Sequence, residues 1–171
     1  MTKHKRYIVF SAQIASAAVL ALADQWIKRL VAENLPRNQT VPVIKNLFGL
    51  YYSTNTGGAW SMLEDNPKIL YTVSLILLLG VIVYLFFAKF EGIIPNVSIT
   101  LIIGGGAGNM IDRLFRGEVV DYIQTLFVDF PIYNLADIFI VVGCFMFIGY
   151  LIYDIIREEK QKKKEKKDGN S

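Results

Sequence analysis

The chain has 171 residues, of which 53% are hydrophobic and 13% aromatic, with a net charge of +3 and a mean hydropathy of +0.39. This composition is too apolar for a soluble domain of this length, and the single cysteine excludes an intramolecular disulfide. We therefore expect a membrane protein.

Four segments approach the roughly 17 to 25 apolar residues that a helix needs to cross the hydrocarbon core of a bilayer. They are residues 7–23, 69–87, about 93–111 and about 138–156. The sequence therefore predicts a mainly α membrane protein, with four transmembrane helices in a single domain over residues 1–156.

Basic residues lie outside the first and last of these segments. Lys3, Lys5 and Arg6 precede the first, and the tail at residues 157–171 is rich in lysine. Lysine and arginine near span ends favour the cytoplasm, so we expect both termini there. Because acidic residues are interspersed in the tail, we interpret it as a disordered segment at an anionic leaflet and expect no nucleic-acid partner.

The N-terminal segment also has the order of charged, apolar and small residues that is found in cleavable secretory signals. We expect it to be retained, because its apolar stretch is long enough to span a membrane. Asp24, which follows this stretch, belongs to a polar pattern. Asp24 and Lys28 are four residues apart and share one helical face, either as an ion pair that ends the span or as substrate contacts.

Two outer segments are predicted between the helices, at about residues 28–68 and 115–133. Valine, isoleucine, tyrosine and threonine with proline and glycine punctuation predict short strands at residues 36–60. Asn55 lies there in a cluster with two glycines that is typical of a turn. The second outer segment, which contains Asp121, is also predicted to be mostly extended.

The end of the third span is unusually polar. Asn109, Asp112 and Arg113 share one face of the helix, and Gly104 and Gly108 are spaced for close packing of another helix. Arg113 either clamps a substrate carbonyl or pairs with Asp112. Asn109 either donates to substrate or orients backbone.

The fourth helix begins near Asn134 and Asp137, whose spacing fits a helix N-cap with an acidic residue in the first turn. A second interpretation pairs Asp137 with Asp121. Two carboxylates held close together retain one proton, so one can take a proton from water while the other donates one. That pair is sufficient for peptide hydrolysis without a metal or a covalent intermediate.

Other chemistries have less support. The outer face offers neither histidine nor cysteine for zinc, and no serine lies in a recognisable catalytic setting. We therefore expect no metal and no cofactor. A small transporter or lipid-binding protein that uses its outer carboxylates is the alternative function.

Five blocks of this sequence resemble, in order, those of the signal peptidase II (lipoprotein signal peptidase) family. They are DQWIK with Asp24 and Lys28, NTGGAW with Asn55, GGAGNMIDR with Gly108, Asn109, Asp112 and Arg113, VVDYI with Asp121, and YNLAD with Asn134, Ala136 and Asp137. Each block alone is weak evidence for this family, but the five blocks together, in this order on four spans, are specific to it.

The resemblance implies a catalytic pair, Asp121 and Asp137, and a small extracytoplasmic β-rich cradle beside the four helices. It also implies a bacterial cytoplasmic-membrane enzyme that removes the signal peptide of prolipoproteins before a cysteine bearing diacylglyceryl. Asn55, Asn109, Arg113 and Asn134 correspond to residues that line or order the substrate site. Asp24 and Lys28 match a block of undecided role, structural or substrate-binding. We expect the enzyme to act as a monomer in contact with membrane lipid.

Overall fold

The computed structural model describes residues 3–58, 66–88, 90 and 92–168, and within them the chain forms four long helices and three short strands. In chain order the elements are α1 Lys3–Asn34, β1 Thr40–Ile44, β2 Phe48–Asn55, α2 Pro67–Phe87, α3 Ile93–Phe115, β3 Val119–Thr125 and α4 Leu135–Asp168. By length and composition, each of these four helices is able to cross a membrane. The predicted class, mainly helical with a small sheet, is confirmed.

Helix α3 is the centre of the bundle and packs against each of the other three helices. Three glycines on α3 permit this close packing. An added Cβ at Gly104 would meet Leu20 and Ala17 of α1, at Gly105 the backbone of Ala136 in α4, and at Gly108 the carboxylate of Asp24. The predicted packing role of Gly104 and Gly108 is confirmed.

The sheet has the order β1-β2-β3 and is antiparallel throughout. Its register places Asp121 opposite Ser53, close to the end of β2. Val31, Tyr52, Val120 and Tyr122 form a buried cluster that joins the end of α1 to the sheet. Leu135 of α4 packs against this cluster, which places β3 beside the first turn of α4.

Two predictions are wrong: the start of the first outer segment and the disorder of the C-terminal tail. Helix α1 continues to Asn34, so the first outer segment begins after that residue and not at residue 28. The physical reason is that Asp24 and Lys28 form a buried ion pair, which allows polar residues within a helix that is packed against others. The tail is helical over residues 157–168, where disorder was predicted. Glutamate and lysine favour helix, and Glu158 and Lys162 pair at i,i+4 spacing, 3.8 Å apart.

Part of the predicted first outer segment, residues 59–65 with Trp60 of the NTGGAW block, lies outside the described residues. The last residues of the tail, 169–171, also lie outside them.

Candidate active site

Asp121 lies on β3 with 5% of its surface exposed, and two asparagines hold its carboxylate. The side-chain nitrogen of Asn134 donates to Oδ1 at 2.6 Å, and that of Asn55 donates to Oδ2 at 3.2 Å. The register between β2 and β3 brings Asn55 to this place, and the start of α4 brings Asn134. Three separate segments of the chain therefore meet at Asp121.

Asp137 lies in the first turn of α4, where it forms a reciprocal cap with Asn134. The side-chain oxygen of Asn134 accepts a hydrogen bond from the Asp137 N–H at 3.0 Å, and Asp137 Oδ2 accepts one from the Asn134 N–H at 3.0 Å. The predicted N-cap is therefore present. Since Asn134 also binds Asp121, the structure brings both aspartates against one residue, and the capping and pairing interpretations are compatible.

A buried ionic cluster lies behind the aspartates and connects α1 with α3. Lys28 Nζ is 2.8 Å from Asp24 Oδ2 and 2.8 Å from Asp112 Oδ2, and none of the three side chains is exposed. Lys28 Nζ also donates to the side-chain oxygen of Asn109 at 2.8 Å. The ion pair predicted between Asp24 and Lys28 is present, but it is shared with Asp112 and fully buried.

Asn109 joins this cluster to the aspartates. Its side-chain oxygen accepts hydrogen bonds from Lys28 and, at 3.1 Å, from Asn134, while its nitrogen donates to Asp137 Oδ1 at 2.7 Å. Every carboxylate oxygen of Asp121 and Asp137 thus accepts a hydrogen bond from an amide N–H.

Ala136 and Gly108 hold α4 close to α1 and α3 at this level. Ala136 is fully buried, and its N–H donates to Asp24 Oδ1 at 3.1 Å. The missing side chain of Gly108 leaves room for the Asp24 carboxylate. Both residues act through Asp24 and not on a cavity surface.

A cavity of about 530 Å³ opens beside the two aspartates. Its polar end contains Asp121, Asp137, Asn55, Asn109 and Arg113. Its remaining wall is apolar and includes Ile138, Ile140, Val141 and Val142 of α4 together with Phe130–Tyr133 of the second outer segment. We call it the site cavity.

Arg113 belongs to the site cavity and not to the ionic cluster. Asp112 pairs with Lys28 and with Arg116, whose Nη1 lies 3.1 Å from Asp112 Oδ1. Among the described residues, the Nε atom of Arg113 has no hydrogen-bond partner. Of the two alternatives for Arg113, pairing with Asp112 is therefore wrong, because Lys28 and Arg116 occupy that carboxylate.

The position of Asp121 changes its acidity. Burial disfavours the charged carboxylate, and the nearby charge of Asp137 disfavours it further. Together they raise the pKa of Asp121 to about 7, although hydrogen bonds from Asn134 and Asn55 act in the opposite direction. A carboxyl group with this pKa holds a proton for part of the time at neutral pH, which equips it for proton transfer.

Sequence reasoning missed two residues of the ionic cluster. Gln25 donates from Nε2 to Asp112 Oδ1 at 3.1 Å and to the carbonyl oxygen of Gly108 at 3.0 Å. Arg116 pairs with Asp112 across one helical turn. The i,i+4 spacing of Asp112 and Arg116 was the available signal for Arg116. Gln25 could be suspected only from its place next to Asp24.

The four membrane-length helices define a multi-pass membrane protein. Two aspartates, each hydrogen-bonded by Asn134, lie at the polar end of its largely apolar cavity, and this arrangement is suited to hydrolysis. The family model described as signal peptidase (SPase) II, Peptidase_A8, matches residues 16–153. The chain belongs to the signal peptidase II family, and it is an enzyme, a peptidase. The resemblance found in the five blocks is thereby confirmed, and the transporter alternative is set aside.

Individual relatives agree with this assignment. A lipoprotein signal peptidase of Halalkalibacterium halodurans is 36% identical over 152 residues, which cover 88% of this chain and 95% of that protein. A lipoprotein signal peptidase of Enterococcus faecalis is 38% identical over 139 residues, covering 81% and 86%. A solved structure described as a bacterial membrane enzyme superposes with a TM-score of 0.78 at 28% identity, covering 85% of this chain and 90% of that one.

Proposed function

We propose that this enzyme hydrolyses the peptide bond that precedes a diacylglyceryl-modified cysteine in prolipoproteins, with Asp121 and Asp137 as its catalytic pair. The observation that carries the proposal is that one residue, Asn134, hydrogen-bonds both carboxylates at the polar end of the site cavity. Proteins named lipoprotein signal peptidase match over most of this chain, at 36% and 38% identity.

In the proposed mechanism the pair holds a single proton, and before water attacks, this proton is on Asp121. The raised pKa of Asp121 supports this assignment. The Asp137 carboxylate takes a proton from water, and the resulting hydroxide attacks the carbonyl carbon of the scissile bond while Asp121 donates its proton to the carbonyl oxygen. The tetrahedral intermediate then collapses: the carbon–nitrogen bond breaks, Asp137 returns the proton to the leaving nitrogen, and Asp121 recovers its own.

Two further residues of the site cavity have roles in substrate binding. Arg113 has a donor without a partner among the described residues, so we assign it to a carbonyl oxygen of the signal peptide. Asn55 orients Asp121 and lines the site cavity. Asn109 and Asn134 orient the two carboxylates through hydrogen bonds.

The apolar wall of the site cavity suits the signal peptide and the acyl chains. Burial of each methylene contributes about 0.8 kcal/mol to membrane or pocket binding. The lipid therefore supplies affinity that side-chain recognition need not supply. We place the termini in the cytoplasm and the site at the extracytoplasmic face of a bacterial cytoplasmic membrane, in agreement with the basic residues at both ends of the chain.

The test uses purified full-length enzyme in detergent with a diacylglyceryl-modified prolipoprotein, and cleavage is followed by mass spectrometry. Wild type cleaves before the lipidated cysteine, and the unlipidated precursor is cleaved much more slowly. Asp121→Asn and Asp137→Asn each lower the rate by at least about a hundredfold, the range of lost acid–base catalysis. Asp154→Asn is the matched control, since Asp154 lies on α4 away from the cavity lining.

Near wild-type cleavage by either site variant would refute the catalytic pair. Failure of folded wild-type enzyme to cleave the lipidated precursor would refute the proposed reaction.

A further inference from the structure

A second cavity, of about 470 Å³, adjoins the site cavity. The two cavities share Asn55, Asp121 and the segment 130–132 in their linings. Asp121 thus lies where the two cavities meet. The remaining lining of the second cavity consists of Ser53, Thr54, Thr56, Gln124 and Asp129. We call it the polar groove.

The polar groove and the site cavity differ in chemistry. Apart from the shared segment 130–132, the groove is lined by hydroxyl, amide and carboxylate side chains, whereas the site cavity has an aliphatic wall formed by α4. Hydroxyl and amide groups on extended strands can hydrogen-bond a hydrated peptide, which an aliphatic wall cannot do. The proposed mechanism does not use these groups of the groove.

The substrate of the proposed reaction has the same two-sided character. On one side of the scissile bond the chain is an apolar signal peptide, and the lipid on the cysteine is apolar as well. The mature polypeptide that follows the cysteine is polar and remains in water. A scissile bond at Asp121 would therefore direct the apolar parts into the site cavity and the polar chain into the adjoining groove.

We propose that the polar groove binds the residues of the mature polypeptide that directly follow the lipidated cysteine, and that Asp129 makes it prefer basic residues there over acidic ones. This inference rests on the proposed function. The charge argument is that Asp129 is exposed on the groove and that, within the described part of the chain, neither lysine nor arginine lines it. A glutamate in the substrate would meet the like charge of Asp129 there, whereas a lysine would meet opposite charge.

The experiment compares two diacylglyceryl-modified peptides that differ only in carrying lysine or glutamate after the cysteine. We expect kcat/KM of wild type to be roughly two- to fivefold higher for the lysine peptide, the range of an exposed ion pair. The ratio should shrink at high salt, because exposed charges are screened. Asp129→Asn should bring the ratio close to one, and Thr54→Lys, which adds a cation to the groove lining, should invert it.

Glu33→Gln is the matched control, because Glu33 is an exposed acid that lines neither cavity and pairs with Arg29 on α1. It should leave both the rate and the ratio at their wild-type values.

Equal cleavage of the two peptides by wild type would overturn the groove assignment while leaving the proposed function intact. A preference that persists unchanged in Asp129→Asn would also overturn it, since the selectivity would then arise elsewhere. If wild type cleaves neither peptide, the proposed function itself fails.

Discussion

The ammonium nitrogen of Lys28 lies 2.8 Å from the side-chain oxygen of Asn109, in a part of the protein that excludes water. Asn134 donates to the same oxygen, so the Asn109 nitrogen is left to donate to Asp137. An amide with both its ends occupied in this way has one orientation. The ionic cluster that joins α1 to α3 therefore also orients a carboxylate of the site.

Removal of the charge of Lys28 should destabilise the protein strongly. Lys28→Met leaves Asp24 and Asp112 buried without their shared cation, and a broken buried pair costs about 3 to 5 kcal/mol. We expect a corresponding loss in the free energy of unfolding, measured in detergent. Arg29→Met is the control on the same helix: its partner Glu33 is exposed, so stability should change little. Equal effects of the two substitutions would contradict the role of the cluster.

Asn134 should prove to have two separable roles. In Asn134→Ser the hydroxyl still caps α4, but the donor to Asp121 and Asn109 is lost. A buried acceptor that is left without its hydrogen bond costs about 1 to 3 kcal/mol, so we expect kcat/KM to fall roughly fivefold to a hundredfold. Asn134→Ala loses the cap as well and should be less stable than the serine variant by about 1 kcal/mol.

The two asparagine variants are compared by peptide cleavage and by thermal unfolding. Wild-type activity in Asn134→Ser would show that Asn134 serves only as a helix cap.

Close packing of α3 on α4 depends on Gly105. A Cβ at this position would collide with the backbone carbonyl oxygen of Ala136, which cannot move without shifting α4. We expect Gly105→Ala to cost about 1 to 3 kcal/mol of stability and to reduce activity through displacement of Asp137. Gly80→Ala is the control, because a Cβ there meets no atom of the described residues within 4 Å and alanine favours helix. Gly80→Ala should therefore leave the unfolding temperature unchanged or raise it. If Gly105→Ala also left the unfolding temperature and the activity unchanged, that result would argue against close packing of α3 on α4.

Activity should depend on pH through the proton on Asp121. The pKa of this carboxyl is raised to about 7, above the ordinary value of 3.8. Asp121 is thus protonated below about pH 7 and loses its proton as the pH rises through that value, so kcat/KM should fall from about pH 6 to about pH 9. The measurement is a pH profile of cleavage, with unfolding temperature followed in parallel to separate loss of activity from loss of fold. A rate that stays level or rises across this range would contradict the role of Asp121 as proton donor.

The sequence predicted some contacts of the site, such as the caps of α4, but it did not predict others. The caps of α4 follow from the spacing of Asn134 and Asp137, because N-capping is a local interaction. The pairing of Arg116, and not Arg113, with Asp112 depends on which face of α3 meets α1, so spacing alone left it undecided. Gln25 and the polar groove lacked any distinctive sequence signal, since each acquires its role only from its neighbours in space.

The sequence by itself determined the four apolar spans, the extended character of the outer segments and the family, because hydropathy, strand propensity and ordered motifs are properties of the chain. Only the tertiary structure decided that Asp121 and Asp137 share Asn134, that Asp24 and Asp112 share the ammonium group of Lys28 away from water, and that two cavities of unlike chemistry meet at Asp121. The physical reason is that burial and hydrogen bonding between distant segments depend on how the helices and the sheet pack, which no local pattern specifies.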